Sequence, residues 1–328
     1  MRLVDHYLQI RDITLYNKNV KNDFKVVALG DIHLSKSVDK IKITAIKKQI
    51  KEEKANYNVF LGDFVSTPKE LENKEIQEQL LDLIESSAVV APTMIILGNH
   101  DFINKNKDKN NKYSIENNKA FWEKVTSINN VYLLDNKLYQ DNQVLFMGYK
   151  ETLKYYYNNE SYEDLEVFFN DFKSYPKLYK NLPKDIIKIG LIHSPEYAKL
   201  EKNNMLLRDY DLLISGHNHD GCIPFGFGNF TFGIISPKKK IFPKEARGYR
   251  VLNTGTSLLI SGGITKIQEC APKVLHPFNH LCPMQMDTIT FTNKLDHYKI
   301  SKRVINVKNK RGSTPITRQI SFWKLGSM

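Results

Sequence analysis

Five short apolar runs recur along the chain, and each ends at a glycine or polar corner followed by acidic, amide or histidine side chains. An apolar run of four or five residues bounded by turn residues is typical of a strand buried on both faces. In chain order, the five segments are KVVALGDIH (25–33), NVFLGDF (58–64), MIILGNHD (94–101), KIGLIHS (188–194) and LLISGHNHD (212–220). The pattern predicts five strands that each present polar side chains at the carboxyl end.

Helical patterns lie between these strands. Residues 67–70 (TPKE) match a capping box with proline at the first helical position, which predicts a helix to about Ser86. Similar start signals predict helices from Ser114 and from Ser194. Strands that alternate with helices indicate βαβ units, and such sheets bind ligands outside the carboxyl ends of their strands.

Six other segments have the alternation or turn residues of further strands, and we expect them to form a second sheet packed on the first. They are LQIRDITLY, KLYQDNQVLFMGY, FTFGII, YRVLNT, SLLISGG and DTITFT. We predict one α/β domain over residues 1–300, with a helical insertion at about 151–182 that packs into the core rather than forming a lid. Residues 301–328 are basic and weakly patterned, which predicts a flexible, solvated C-terminal tail.

Composition and charge add a preference for anionic partners. Hydrophobic residues make up 41% of the 328 residues, as in ordinary globular proteins, and the formal net charge is +12. A positive surface field favours phosphate esters, nucleic acid or acidic lipid headgroups. A solvated surface rich in Lys and Asn accounts for the same charge, and for the charge alone we favour that explanation.

The cysteines and the apolar runs bear on location. Cys222, Cys270 and Cys282 are scattered and odd in number, which argues for a reducing compartment rather than a disulfide framework. The N-terminal segment has charges throughout, unlike a signal peptide, and no apolar run approaches the ~20 residues of a membrane span. We expect a cytoplasmic protein whose membrane contact, if it has one, is peripheral; the sequence does not fix its oligomeric state.

The polar residues of the five motifs match what phosphate-ester hydrolysis needs. Two divalent ions ~3.5–4 Å apart can lower the pKa of a water and neutralise the phosphoryl oxygens. Asp63 is a natural bridging carboxylate, and the other ligand candidates are Asp31, His33, Asn99, His193, His217 and His219. Mixed imidazole and carboxylate ligands favour transition metals over Mg or Ca, so we expect two divalent ions per chain, Mn²⁺ first, with Fe, Zn and Co as alternatives.

Two further residues of the third motif suit catalysis rather than metal binding. His100 can lie beside the scissile bond, where it stabilises charge on the phosphoryl group or protonates the leaving oxygen. Asp101 can accept the ring hydrogen of His100 and so fix its tautomer.

The ordered set GDIH, GD, GNHD, H and GHNH resembles the calcineurin-like metallophosphoesterase superfamily over roughly residues 23–292. The resemblance implies a four-layer αββα sandwich, with two mixed β-sheets flanked by helices. It also implies one metal held by Asp31, His33, Asp63 and His219, and another held by Asp63, Asn99, His193 and His217. In the same pattern His100 lies near the substrate and Asp101 supports it.

Within that superfamily the chain is most similar to a bacterial branch of small phosphodiesterases that includes enzymes acting on cell-envelope precursors and UDP-diacylglucosamine. The similar features are the N-terminal strand LQIRDITLY and the segment GHNHDGCIP (216–224). Asp220 stands where that branch has glycine, and residues 271–284 lack its Arg and Pro-Glu landmarks. These departures concern the substrate and leave the metal ligands unchanged.

The leading hypothesis is therefore a metal-dependent hydrolase of a phosphodiester, pyrophosphate or phosphomonoester, with a cell-envelope or lipid-linked substrate. A nuclease or nucleotide phosphodiesterase is the alternative, ranked lower because no platform of aromatic and basic residues is recognisable. A non-catalytic, protein-binding scaffold of the same fold ranks third, since scaffolds of that kind lose ligands or the active histidine and this chain keeps them.

Overall fold

The computed structural model describes residues 7–35, 40–102, 115–150, 185–196, 210–223, 232–235, 241–243, 246–252, 255–266, 273–274, 277, 282–294, 299–306 and 322–323. The strands in this part of the chain are β1 (Tyr7–Tyr16), β2 (Phe24–Leu29), β3 (Tyr57–Phe60), β4 (Thr93–Ile95), β5 (Val131–Leu133), β6 (Lys137–Gln140), β7 (Val144–Gly148), β8 (Ile187–Leu191), β9 (Leu212–Ser215), β10 (Gly248–Val251), β11 (Ser257–Ile260), β12 (Met284–Thr292), β13 (Lys299–Asn306) and β14 (Phe322–Trp323). The helices are α1 (Lys40–Glu53), α2 (Lys74–Val90), the single turn α3 (Asn99–Phe102) and α4 (Ile115–Ser127).

The strands form two mixed sheets. The first has eight strands in the order β14-β13-β1-β12-β2-β3-β4-β5, and the second has six in the order β10-β11-β9-β8-β7-β6. Strands β2 to β5 run parallel, whereas β12 is antiparallel to β2 and parallel to β1. This confirms the predicted α/β class with two mixed sheets.

Apolar side chains fill the space between the sheets because alternate residues of each strand point inward. The inner faces contribute, among others, Val26, Ala28, Val59 and Leu61 from the first sheet and Phe146, Ile189, Ile214 and Leu259 from the second. On the outer face of the first sheet, α1, α2 and α4 bury a second cluster that includes Ile46, Leu80 and Trp122. The described helices therefore form an outer layer on the first sheet, and the predicted insertion at 151–182 lies outside the described residues.

The distribution of strands differs from the expected one. LQIRDITLY and DTITFT, expected in the second sheet, form β1 and β12 beside the first motif strand, while the last two motif strands are β8 and β9 of the second sheet. Both β1 and β12 place apolar side chains on both faces, so they fit the centre of the larger sheet.

The first predicted helix is interrupted. A 3₁₀ turn covers Pro68–Glu72, Thr67 makes no side-chain capping bond, and α2 begins at Lys74. The Asn73 side chain accepts a bond from the Glu75 N–H at 2.9 Å, so it is the N-cap of α2. The second predicted helix is confirmed as α4.

Regular structure continues past the expected boundary at residue 301. Strand β13 pairs antiparallel with β1, and β14 pairs with β13. The Arg303 guanidinium donates to Asp12 at 2.6 and 2.7 Å and to Glu53 at 2.8 Å, and Ile300 is buried in the core between the sheets. The expectation of a flexible tail is therefore wrong for residues 301–306, because these contacts fix the strand. None of the helices in the described part of the chain has both the length and the apolar character needed to span a membrane.

Candidate metal centre

The carboxyl ends of the five motif strands meet at one end of the sandwich. Strands β2, β3 and β4 are neighbours in the first sheet, and β8 and β9 are neighbours in the second. Backbone bonds join the loops that follow them: Asp31 N–H donates to Gly62 O, and Gly216 N–H donates to His193 O. All seven predicted ligands are buried, with at most 4% exposure. The structure thus brings together residues that lie as far apart as positions 31 and 219.

Two groups of potential ligand atoms share one carboxylate. Asp31, His33, Asp63 and His219 each offer an atom within 4.8 Å of the others, and Asp63, His193 and His217 form a second such group. Asp63 Oδ2 lies 3.5 Å from His33 Nε2 in the first group and 3.2 Å from His193 Nε2 in the second. The Asn99 side-chain oxygen joins the second group, 3.2 Å from His193 Nε2. Asp63 therefore lies where a bridging ligand would be.

Backbone carbonyls fix the histidine tautomers. His193 Nδ1 lies 2.6 Å from Leu61 O, and His219 Nδ1 contacts Thr265 O. A carbonyl only accepts hydrogen bonds, so Nδ1 carries the hydrogen in both rings and the neutral ring presents a lone pair at Nε2. That lone pair of His193 faces Asp63 Oδ2, a buried carboxylate oxygen 3.2 Å away. Two facing lone pairs repel unless a proton or a metal cation lies between them, so the donor set fits a divalent metal.

The ligands occupy strained backbone positions. Among the described residues, eleven non-glycine residues have positive φ, and five of these are predicted metal ligands: Asp31, His33, Asp63, His217 and His219. A non-glycine residue in the left-handed region costs on the order of 1–3 kcal/mol, and such strain concentrates at functional sites. These turns aim side chains from the strand ends toward one point.

Close packing of backbone brings the second and third motifs together. A methyl group at Gly98 would lie 2.3 Å from Asp63 Oδ1 and 2.6 Å from His193 Cε1. At Gly62, where φ is +86°, a methyl group would lie 2.3 Å from the Gly98 nitrogen. Both positions therefore require glycine for the ligands to approach each other.

Asp101 has a different partner from the expected one. His100 Nδ1 lies 2.8 Å from the backbone oxygen of Ser66, while the Asp101 carboxylate accepts backbone N–H bonds from residues 63, 64, 65 and 98. Ser66, rather than Asp101, therefore fixes the tautomer of His100. Asp101 instead holds the loop that carries Asp63. Sequence reasoning missed Ser66, Leu61 and Thr265 because they act through backbone carbonyls, which no side-chain type signals.

Burial and mutual charge set the protonation of the site. Burial raises the pKa of Asp31 and lowers that of His33 well below its ordinary value. Burial also acts to raise the pKa of Asp63, but the neighbouring imidazoles, led by His193, outweigh it and hold the pKa well below the usual range. Burial, with the nearby Asp63 charge, raises the pKa of Asp101 to about 7. Neutral His33 and ionised Asp63 are the forms that coordinate metals.

Comparison with known proteins agrees with this geometry. Residues 24–221 match the model of the calcineurin-like phosphoesterase family. The chain belongs to this family. An uncharacterized metallophosphoesterase from Campylobacter jejuni is 24% identical over 259 residues, which are 74% of this chain and 58% of that protein. The chain thus spans less than two thirds of the length of this curated relative.

Two solved structures are also similar. GAP50, the anchor in the inner membrane complex of Plasmodium, is 14% identical with a TM-score of 0.45, over 93% of this chain and 90% of that one. A dimetal phosphatase from Danio rerio is 9% identical with a TM-score of 0.45, over 91% of this chain and 98% of that one.

Proposed function

We propose that the chain is a dinuclear metal-dependent hydrolase of phosphate esters. The observation that carries this proposal is the pair of buried ligand groups that share Asp63, whose Oδ2 lies 3.5 Å from His33 Nε2 in one group and 3.2 Å from His193 Nε2 in the other. A carboxylate shared by two ligand groups can hold two ions close enough for two-metal hydrolysis. Membership of the phosphoesterase family supports the same chemistry.

The ligands divide into two sets in this proposal. Asp31, His33, Asp63 and His219 hold one ion, and Asp63, Asn99, His193 and His217 hold the other. When bound, such ions lower the pKa of a water and neutralise charge on the phosphoryl oxygens. We propose Mn²⁺ as the native metal, with Fe, Zn and Co as alternatives, because imidazole and carboxylate ligands suit all four.

His100 acts on the reacting group, and Asp101 acts through the backbone. Ser66 O holds the hydrogen of His100 on Nδ1, which leaves Nε2 to exchange a proton with the leaving oxygen or to stabilise phosphoryl charge. Asp101 is a positioning residue: its four backbone hydrogen bonds hold the turn that carries Asp63. The backbone N–H of His100 also donates to Asp63 Oδ1 at 2.7 Å, which orients the bridging carboxylate.

For the substrate we propose a phosphodiester or pyrophosphate, with cell-envelope and lipid-linked compounds as the first class to test. The net charge of +12 favours such anions and is compatible with peripheral contact at an acidic membrane surface. The same charge suits nucleic acid and cyclic nucleotides, which form the competing class. Asp31 and Asp63 neutralise only part of the charge of two divalent ions, so the site retains an attraction for phosphate.

The experiment is a metal-dependent substrate panel. Protein loaded with Mn²⁺ is assayed with bis-p-nitrophenyl phosphate, p-nitrophenyl phosphate, DNA, cyclic nucleotides and lipid-linked pyrophosphates. We expect activity that chelation abolishes and Mn²⁺ restores. His100→Ala should lower the rate by ~10²–10⁴-fold while both ions stay bound. Metal-loaded protein that cleaves no ester in the panel would favour the protein-binding scaffold instead.

A further inference from the structure

Asp220 and Arg247 form a buried ion pair directly beside the metal centre. Arg247 Nε lies 2.5 Å from Asp220 Oδ1, and the two side chains are only 1% and 3% exposed. Asp220 follows His219 in the chain and has a φ of 59°, in the region that favours glycine. A charged, left-handed residue is costly at such a position. Because Asp220 follows a predicted ligand, we expect it to stabilise the turn that carries this ligand.

The backbone brings Arg247 to this position through close packing. A methyl group at Gly221 would lie 3.0 Å from the Ala246 side chain and 2.3 Å from Gly233 Cα. Ile234 N–H donates to Gly221 O at 2.7 Å, which fixes the same turn from the other side. Directly after Arg247 the chain enters β10, an edge strand of the second sheet. The ion pair thus ties the turn after His219 to the second sheet.

The imidazole of His219 is held from its other side by the segment 261–266. Thr265 O accepts the hydrogen of His219 Nδ1, and Thr265 N–H donates to Asp31 O at 2.9 Å. The buried Lys266 ammonium donates to Gly262 O and to Gly263 O, which holds this segment in place. His219 therefore depends on two supports, one on the ring and one on its backbone. His193, by contrast, is anchored through Nδ1 on Leu61 O, just after the end of β3 in the first sheet.

We propose that Arg247 is a positioning residue for His219, acting through Asp220, and that it controls affinity at one of the two metal positions. The inference rests on the proposed dinuclear centre. The position formed by Asp31, His33, Asp63 and His219 depends on this pair directly. The position formed by Asp63, Asn99, His193 and His217 depends on it less, because the nearest ligand, His217, is held through its own N–H by the Asp31 carboxylate at 3.1 Å. Loss of the pair therefore weakens the two sites unequally.

The test uses Arg247→Met, Asp220→Asn and a matched control. Arg303→Met removes another, partly buried arginine, whose Nη2 lies 2.6 Å from Asp12 Oδ1 and 2.8 Å from Glu53 Oε1. The protein is stripped of metal and titrated with Mn²⁺ by calorimetry, and the coupling between two bound Mn²⁺ ions is followed by electron paramagnetic resonance. Outer partners of metal ligands typically contribute ~10–100-fold in affinity. We expect Arg247→Met to weaken one site by that amount and to lose the coupled spectrum at low Mn²⁺.

The variants separate positioning from general stability. Asp220→Asn keeps a residue that tolerates positive φ but removes the charge opposite Arg247, so we expect it to weaken the same site as Arg247→Met. Arg303→Met should lower stability but leave both sites at unchanged affinity. If Arg247→Met binds Mn²⁺ at both sites with the same affinities as wild type, the inference is overturned and the proposed function still stands. A wild-type chain that binds no Mn²⁺ would overturn both.

Discussion

The Asp101 carboxylate holds the backbone of Asp63, since Asp101 Oδ2 accepts the Asp63 N–H at 2.9 Å. The same carboxylate accepts the Gly98 N–H at 2.8 Å and the Phe64 N–H at 2.8 Å. Asp101→Asn places an NH₂ group against some of these donors. Because a buried N–H group left without an acceptor costs ~1–3 kcal/mol, we expect the free energy of unfolding to fall by about 1–3 kcal/mol.

Urea unfolding of the metal-free protein measures this effect. Asp82→Asn is the control, because its ion pair with Lys47 is exposed and should change stability by less than ~1 kcal/mol. If Asp101→Asn unfolds at the same urea concentration as Asp82→Asn, the backbone role of Asp101 is wrong.

Removing the shared carboxylate charge should affect both metal positions. Asp63→Asn keeps the size of the side chain but removes the charge that both ligand groups share. We expect metal content to fall from two ions per chain to one or none, and turnover to fall by at least ~100-fold. Elemental analysis and the bis-p-nitrophenyl phosphate assay measure the two effects. An undiminished rate in this variant would contradict the bridging role.

Gly98 leaves room for the bridging carboxylate, so a single methyl group should disrupt the centre. Gly98→Ala places Cβ 2.3 Å from Asp63 Oδ1 and 2.6 Å from His193 Cε1, and one of these side chains must move. We expect the affinity for Mn²⁺ to fall by at least ~10-fold. Gly255→Ala is the control: φ is +85° there and a methyl group meets nothing within 4 Å, so only backbone strain is added. Calorimetric titration that gives the same affinity for both variants would exclude the steric explanation.

Lys302 should make stability depend on pH. Burial lowers the pKa of Lys302 to about 7 from an ordinary value of 10.5; Arg247 and Arg11 lower it further, and Asp220 and Asp287 oppose them. Below pH ~7 the folded protein bears the full cost of the buried charge. As the pH rises from about 7 toward 10.5, the unfolded state binds more protons, so this lysine makes unfolding progressively less favourable.

Lys302→Met removes the pH dependence of stability that Lys302 causes. We expect the variant to be more stable than wild type at pH 6, and this advantage to shrink by about 1–2 kcal/mol at pH 9, with allowance for partial exposure. Urea unfolding at the two pH values gives the difference. Lys299→Met, on the same strand, removes an equal charge and should show no such change. A constant difference between Lys302→Met and wild type across this range would refute the prediction.

The sequence predicts the strand ends well because their signals are local. An apolar run that ends at a glycine and then a ligand identifies β2, β3, β4, β8 and β9 without knowledge of the rest of the chain. Allocation of strands to sheets depends on distant pairing, which is why β1 and β12 were expected in the other sheet. The start of α2 was misjudged because Thr67 and Asn73 both suit an N-cap, and only the geometry distinguishes them.

In the candidate site, too, local sequence signals predict some features and only the folded structure shows the others. The seven ligands and His100 are visible as residue types in a fixed order, and their roles stay predictions. The partner of Asp101 was wrong because backbone N–H groups leave no trace in the sequence. Asp220 was noted as a departure from glycine, but Arg247 lies 27 positions further along the chain. Only the folded structure pairs these two charges.

Three motif strands belong to one sheet and two to the other. Cations bound at this centre would therefore stabilise the contact between the two sheets. An ion that binds only the folded state stabilises it by ~2.7 kcal/mol at 100 times its dissociation constant. Thermal melting should therefore respond to free metal concentration. In cells with little transition metal, a larger fraction of this chain would be unfolded and open to proteases. Its abundance would then fall with the metal concentration.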